Sequence, residues 1–240
     1  MISFYKLIPA IGSDNNNRRV AWLINQLKQL PDGYRLLDAG AGTQYFRQFC
    51  PHFDYVAQDF ASYIPDPNAQ GLQNIEWNYG KLDIISDITD IPAPDNSFDA
   101  ILCSEVLEHI PYPEKAIVEF SRLLRPGGTL LITAPFCSLT HQSPYFFATG
   151  FSRFYYNRML QDQGFENIET LANGSYFEYM AQESKRLNGI SRKYAGKPLS
   201  LYQKIITGLF LRILDKLNKK DKNSSELLCF SYFVKAGKKQ

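Results

Sequence analysis

The stretch Leu36–Phe46, LLDAGAGTQYF, constrains this chain more than any other. An apolar run beginning at Tyr34 ends in an acid, Asp38, and enters a turn whose Gly40, Ala41 and Gly42 have almost no side-chain bulk. A flat or anionic ligand can approach such a backbone closely. Tyr34–Ala39 has the length and apolar content of a buried strand, and Thr43 is placed to cap a short helix after the turn. Strand, glycine turn and helix form the first half of a βαβ unit. The turn lacks the GxGxxG spacing of a dinucleotide oxidoreductase, and an acid precedes it.

Further acids recur at strand ends. YVAQDF predicts a strand from Tyr55 to Asp59. A carboxylate ending a strand beside the first one reaches the ribose hydroxyls of a nucleoside, so Asp59, with Phe60 next to it, is the expected diol ligand. Beyond a Pro/Asn/Gly-rich loop, Ile64–Gly71, the segment Leu82–Ile85 reads as the third strand, with Asp87 just past its end. Asp87 can accept from an adenine amino group while Ile88 and Ile91 pack the ring. The run Asp99–Cys103 is a buried strand, with a helical start expected at Ser104, which places Ser104 and Glu105 on the ligand side of an open α/β sheet.

Elsewhere the pattern is helical or extended by period. Ser13, Asp14 and Asn15 offer helix caps before RRVAWLINQLKQL, whose Val20, Leu23, Ile24, Leu27 and Leu30 share a side, and Pro31–Gly33 stop it. Pro113 opens a helix carrying Ala116, Ile117, Phe120, Leu123 and Leu124, and RPGG then fits a type II turn into the strand TLLITAP. FSRFYYNRMLQDQGF is a helix with Ser152 as cap and Gly164 as stop, before a strand over Phe165–Thr170. Two more helical stretches and a final strand, ELLCFSYFVKA, complete the chain.

Taken together, LDAGAG, a strand ending in Asp, DITDIPAPDNSFD, SEVLEHI, RPGGTLLITAP and a helix ending in GF resemble class I methyltransferases that use S-adenosylmethionine, over residues 34–175. Within that class the chain is most similar to a methyltransferase type 11-like branch acting on glycans and small molecules, in which Tyr45 also occurs. The resemblance implies a Rossmann-like, doubly wound α/β sheet of seven mostly parallel strands, the last antiparallel between strands five and six, with helices inserted before it. It implies S-adenosyl-L-methionine as cofactor, held by Asp38, Gly40, Ala41, Gly42, Asp59, Phe60, Asp87, Ile88, Ser104 and Glu105. The chain departs from the family where Gln44 and Gln58 stand in place of frequent glycines, and a larger side chain there narrows the pocket.

In this chemistry the methyl group is already activated, so alignment and exclusion of water supply most of the acceleration, and a base matters only for a hydroxyl acceptor. His141, in the loop PFCSLTHQSPYFF, is the candidate catalytic base. His109 reads as structural or as a gate, and Tyr145, Phe146 and Phe147 as an acceptor wall or as core. The expected acceptor is a small molecule, with a sugar or glycan precursor as the finer reading and a non-catalytic cofactor-binding module as the alternative.

Size and charge set the remaining bounds. The 240 residues form a single domain with an N-terminal helical segment (1–33), a cofactor core (34–175), a helical insertion (176–225) and a final strand (226–237). The stretch Met1–Pro9 is apolar but has neither a charged start nor a small-residue cleavage site, which points to the cytoplasm. Cys50, Cys103, Cys137 and Cys229 match no metal or redox spacing and read as buried thiols, so no metal is expected. Net charge is +2, but residues 177–240 carry 14 Lys/Arg against 5 Asp/Glu, whereas residues 1–176 carry 12 against 19. The basic quarter includes an apolar-arced helix over residues 198–220, interrupted by Lys204, Arg212, Asp215 and Lys216. Such a helix lies on a membrane surface, on its own domain or on a second subunit of a homodimer rather than spanning a bilayer. Nucleic acid is disfavoured as a partner because SEVL stands where an NPPY-like acceptor motif would be.

Overall fold

The computed structural model describes residues 9–74 and 76–240. The expectation for Met1–Pro9 falls outside the described residues except at Pro9. The described residues divide into two compact units, residues 9–18 with 172–230, and residues 19–171 with 231–240.

The larger unit is built on seven strands: β1 (Arg35–Ala39), β2 (Asp54–Asp59), β3 (Ile84–Ile85), β4 (Phe98–Ser104), β5 (Leu124–Pro135), β6 (Phe165–Asn173) and β7 (Ser231–Lys238). Their spatial order is β3-β2-β1-β4-β5-β7-β6. The pairs β3–β2, β2–β1, β1–β4 and β4–β5 are parallel, and β7 runs antiparallel to β5. Chain order reverses at β1, so the ends of β1 and β4 flank the crevice where such sheets take ligands. Near-continuous apolar runs in β1 and β4 bury Leu36, Leu37, Ala100, Ile101, Leu102 and Cys103 completely, as a sheet covered on both faces requires. On one face Leu23 and Leu27 of α1 (Asn15–Leu27) pack with Leu36, Phe46, Ala100, Leu102 and Leu131, and Trp22 stacks on Phe233 at 5.1 Å.

Several boundaries differ from those expected. Helix α1 starts three residues before Arg18, and the third strand is only Ile84–Ile85, because the edge pairs with just Gln58 and Asp59. Ser104 starts no helix. It remains in β4, level with Thr133 of β5, and Glu105 follows at φ 56°, so the next helical turn begins at Leu107. After the glycine turn it is Gln44, in the left-handed region, that precedes a short 3-10 helix, Tyr45–Phe49, and Thr43 caps nothing. RPGG is absorbed into β5, although Gly127 keeps the positive φ of 79° its turn position demands. Helix α2 (Pro113–Leu123) opens on Pro113 as expected, and α3 (Arg153–Asp162) is capped by Ser152, whose hydroxyl accepts from the Tyr155 amide at 3.3 Å. Of the four thiols Cys137 is only partly buried, against expectation.

The smaller unit contains α4 (Tyr176–Tyr194) and α5 (Leu201–Asn218). Ser175 and Ser200 cap them, the latter through a capping box with Gln203. Leu211 and Leu214 of α5 pack with Ala181 and Ile11, and Arg18 pairs with Glu178. The apolar arc read from the sequence faces elsewhere: Tyr202, Ile206, Leu209, Phe210, Ile213 and Leu217 are all exposed. No helix among the described residues is long and apolar enough to cross a membrane.

Candidate functional site

The site is built from the carboxyl ends of β1 to β4. Ala39 is level with Gln58, so the turn after β1 folds across the end of β2. Gly40 and Ala41 both donate their amides to the Gln58 carbonyl, at 2.9 and 2.8 Å, and Gly42 donates to Asp59 Oδ2 at 2.8 Å. Gly40 (φ 73°) and Gly42 (φ 52°) occupy backbone conformations that side chains rarely tolerate. Space forbids substitution as well: a Cβ on Gly40 would lie 2.6 Å from both γ-carbons of Val106, and one on Gly42 would lie 2.9 Å from the Trp77 ring.

The expected acids gather here with distinct environments. Asp38 is buried and accepts from the Tyr55 hydroxyl. Burial pushes its carboxyl up to about 7, only partly opposed by that hydrogen bond. Asp59 is also raised by burial, while amides of Ala61 and Gly42 oppose the shift; Ala61 donates to Oδ1 at 3.0 Å. Asp87 is exposed just beyond β3, with Oδ1 accepting from the amide and hydroxyl of Thr89, both at 2.8 Å, and Ile88 beside it is buried. Phe60 is half exposed and meets Tyr145 edge-on at 5.0 Å. Ser104 shares a 2.9 Å hydrogen bond with Thr133. Glu105 pairs with Arg19 at 2.5 Å through Oε2 and holds a buried Oε1 that accepts no hydrogen bond.

The two residues read from the sequence as narrowing the pocket tie the glycine turn to neighbouring segments. Gln58 is 1% exposed: its Oε1 accepts from the Gly40 amide at 3.1 Å, and its Nε2 donates to the Ser86 carbonyl at 2.7 Å and lies 3.3 Å from the Ser86 hydroxyl. It therefore clasps the glycine turn to the segment that carries Asp87. Gln44 donates Nε2 to the Tyr79 carbonyl and to the Lys81 carbonyl at 2.9 Å, fixing the loop that lays Trp77 against Gly42. Trp77 itself escaped the sequence reading; an aromatic trio, Trp77 with Tyr63 and Tyr79, is the only local signal for it.

His141 lies in the loop after β5. Its Nδ1 is 2.9 Å from the Leu139 carbonyl, and its ring meets that of His109 edge-on at 4.7 Å. His109 directs Nδ1 at the Tyr145 carbonyl, and burial lowers its pKa to about 4. Between them stands Glu108, fully buried, with its carboxyl driven well above the usual range by burial and by Glu105. A pocket of about 470 Å³ lined by Ala69, Gln70, Thr140, Ser143, Pro144 and Phe146 lies in the same loop region, and Phe146 is 5.1 Å from the His141 ring.

Residues 37–132 match the family model of a methyltransferase domain. The chain is 34% identical over 130 residues to a demethylmenaquinone methyltransferase of Renibacterium salmoninarum, covering 53% of this chain and 52% of the relative. It is 31% identical over 121 residues to a malonyl-[acyl-carrier protein] O-methyltransferase of Yersinia pestis, covering 50% and 43%. The chain thus spans about half the length of the curated relatives it matches. A Haemonchus contortus phosphoethanolamine N-methyltransferase 2 solved with S-adenosyl-L-methionine shares the fold, with a TM-score of 0.53 at 18% identity over 93% of this chain and 53% of that one.

Proposed function

We propose, from the class I S-adenosylmethionine-dependent methyltransferase domain carried by residues 37–132, that this protein transfers a methyl group from S-adenosylmethionine to a small-molecule acceptor. The observation that carries the reading is the rim itself. A glycine turn free of side chains is tied by the Gly42 amide to Asp59, and Asp38, Asp87 and Glu105 stand at the ends of the neighbouring strands. The donor set fits the cofactor, because its ribose hydroxyls, adenine amino group and ammonium are all donors to carboxylates. The unpartnered Glu105 Oε1 is a buried acceptor of the kind a bound ammonium satisfies.

In this reading Asp59 with Phe60 holds the ribose, and Asp87 with Ile88 takes the adenine. Asp38, Gly40, Ala41, Gly42, Ser104 and Glu105 take the methionine part. S-adenosylmethionine supplies a methyl group already activated on a sulfonium sulfur. The protein then has to orient an acceptor in line and exclude water, which the aromatic residues Trp77, Tyr145 and Phe146 favour. For a hydroxyl acceptor, His141 Nε2 is the proton-accepting atom, since Nδ1 is engaged with the Leu139 carbonyl. Calorimetry with S-adenosylhomocysteine tests the cofactor assignment. Methyl transfer to a panel of demethylmenaquinol, acyl thioester and sugar-nucleotide acceptors tests the rest, and no turnover with retained cofactor binding would leave the non-catalytic reading standing. The sugar acceptor rests on the resemblance around Tyr45, whereas the relatives are named for a quinone and an acyl carrier.

The free thiols suit a reducing cytoplasm. We further assign the exposed arc of α5, flanked by Lys204, Arg212 and Lys216, to an anionic membrane surface. Flotation with anionic liposomes tests this. Failure to co-migrate refutes it, and a homodimer in sedimentation would then account for the arc.

A further inference from the structure

Glu108, His109 and His141 form a cluster in which only His141 has a place in the proposed methyl transfer. Their ligand atoms all lie within 4.8 Å of one another. Both imidazoles direct Nδ1 at a backbone carbonyl, that of Tyr145 for His109 and that of Leu139 for His141. Each neutral ring therefore carries its proton on Nδ1 and presents a bare Nε2 lone pair. The two Nε2 atoms converge on one oxygen, Glu108 Oε1, at 3.7 Å and 3.9 Å. These distances are too long for hydrogen bonds. Neither oxygen of the fully buried Glu108 carboxyl receives a hydrogen bond from another residue. A buried carboxylate without a partner is costly, and it calls for a cation or a proton.

We propose that Glu108, His109 and His141 bind a first-row divalent metal ion, with zinc as the reference ion. Two imidazole nitrogens and one carboxylate oxygen are a borderline donor set that suits zinc, and three protein ligands leave a position open for an exogenous oxygen. In a tetrahedral site with bonds of about 2.0–2.1 Å, ligand atoms stand about 3.3–3.5 Å apart, so the 3.7 and 3.9 Å separations close by a few tenths of an ångström and the two imidazole nitrogens, within 4.8 Å of each other, by no more than about 1.5 Å. The surroundings are already set for this. The Phe147 and Ala148 amides donate to the Glu108 carbonyl at 2.9 and 3.2 Å, anchoring the loop that delivers His141. The two carbonyls on Nδ1 are the outer contacts that orient a metal-bound histidine and raise its basicity. With the ion in place, His141 Nε2 is no longer the proton acceptor, and a hydroxyl bound at the open position is made acidic by the metal instead. The inference rests on the cluster's geometry and not on the methyltransferase reading.

The test uses tag-free protein stripped with chelator and titrated with zinc alone by calorimetry, and with cobalt(II) as a spectroscopic probe. One-to-one binding with the visible cobalt absorption of a four- or five-coordinate nitrogen/oxygen site is expected. His141→Ala, His109→Ala and Glu108→Gln should each weaken zinc by more than about 100-fold, while Cys137→Ser leaves it unchanged. His141 is in a partly exposed loop, so its variant tests the site even where a change at buried Glu108 unfolds the protein. No zinc binding by the wild type, or equal binding by a folded His141→Ala protein, overturns the proposal. S-adenosylhomocysteine affinity, measured on the same samples, reports separately on the cofactor site.

Discussion

Replacing Gln58 by alanine is the sharpest probe of how this site is held. The side chain makes two strong contacts, from the Gly40 amide at 3.1 Å and to the Ser86 carbonyl at 2.7 Å, and a weaker one to the Ser86 hydroxyl at 3.3 Å. Gly40 keeps a partner in Gln58→Ala, because its amide also bonds the Gln58 carbonyl at 2.9 Å. The Ser86 carbonyl does not. At about 1 kcal/mol for each lost hydrogen bond, with a further increment for the space left behind, the variant should lose about 2–3 kcal/mol. In a unit of this size that lowers Tm by about 4–12 °C. Binding should suffer separately, because Ser86 leads directly into Asp87, and we expect S-adenosylhomocysteine affinity to fall roughly tenfold, equivalent to about 1.4 kcal/mol. Gln58→Glu separates the two effects: it can still accept from Gly40 but cannot donate to Ser86, and it sets a second carboxylate beside Asp59. Thermal melts and calorimetry on the three proteins decide the matter. Unchanged Tm and affinity in Gln58→Ala would show that the clasp holds nothing.

Other consequences are open to direct measurement. Gly40→Ala should lose about 2–4 kcal/mol from its positive φ and its collision with Val106, and adding Val106→Ala should recover only the steric share in denaturant titrations. Trp77 lies on Gly42 while Trp22 is stacked on Phe233, so S-adenosylhomocysteine should change the fluorescence of the wild type but not of Trp77→Phe. Because the Asp38 carboxyl is raised to about 7 in the folded protein, the folded state holds the proton more tightly than the unfolded chain. Stability from this group is complete below the unfolded value near 4 and is lost as pH climbs through 7, so Asp38→Asn should gain stability relative to wild type across that window, followed by melts at each pH. His141→Ala should lower kcat more than cofactor affinity.

The parts of this protein that could be read from residue order are those governed by short-range rules. Apolar runs closing on an acid gave β1 and β2 with their carboxylates, and Pro113, Ser152 and Gly164 marked helix ends because each acts through its own backbone. What escaped depends on partners distant in sequence. The Gln58 side chain fills the place of an absent glycine and bonds to Ser86, 28 residues away, and no local pattern announces that. Glu108 and His109 sit in the motif SEVLEHI, but their convergence with His141 needs β4 and β5 to be neighbours and the following loop to fold back. The α5 arc shows the limit of periodicity: its period is helical, yet Leu211 and Leu214 are the buried positions, and the broader stripe faces outward.

The position of β7 also sets a timetable for synthesis. Strand β7 leaves the ribosome after β6 yet separates it from β5, so β5 has a bare edge along Thr129–Pro135 until Ser231–Gly237 arrive. More than ninety residues of nascent chain emerge in that interval, during which an apolar sheet margin is open to wrong pairing and to chaperones. Removing residues 231–240 would therefore be felt in the middle of the sheet rather than at its rim.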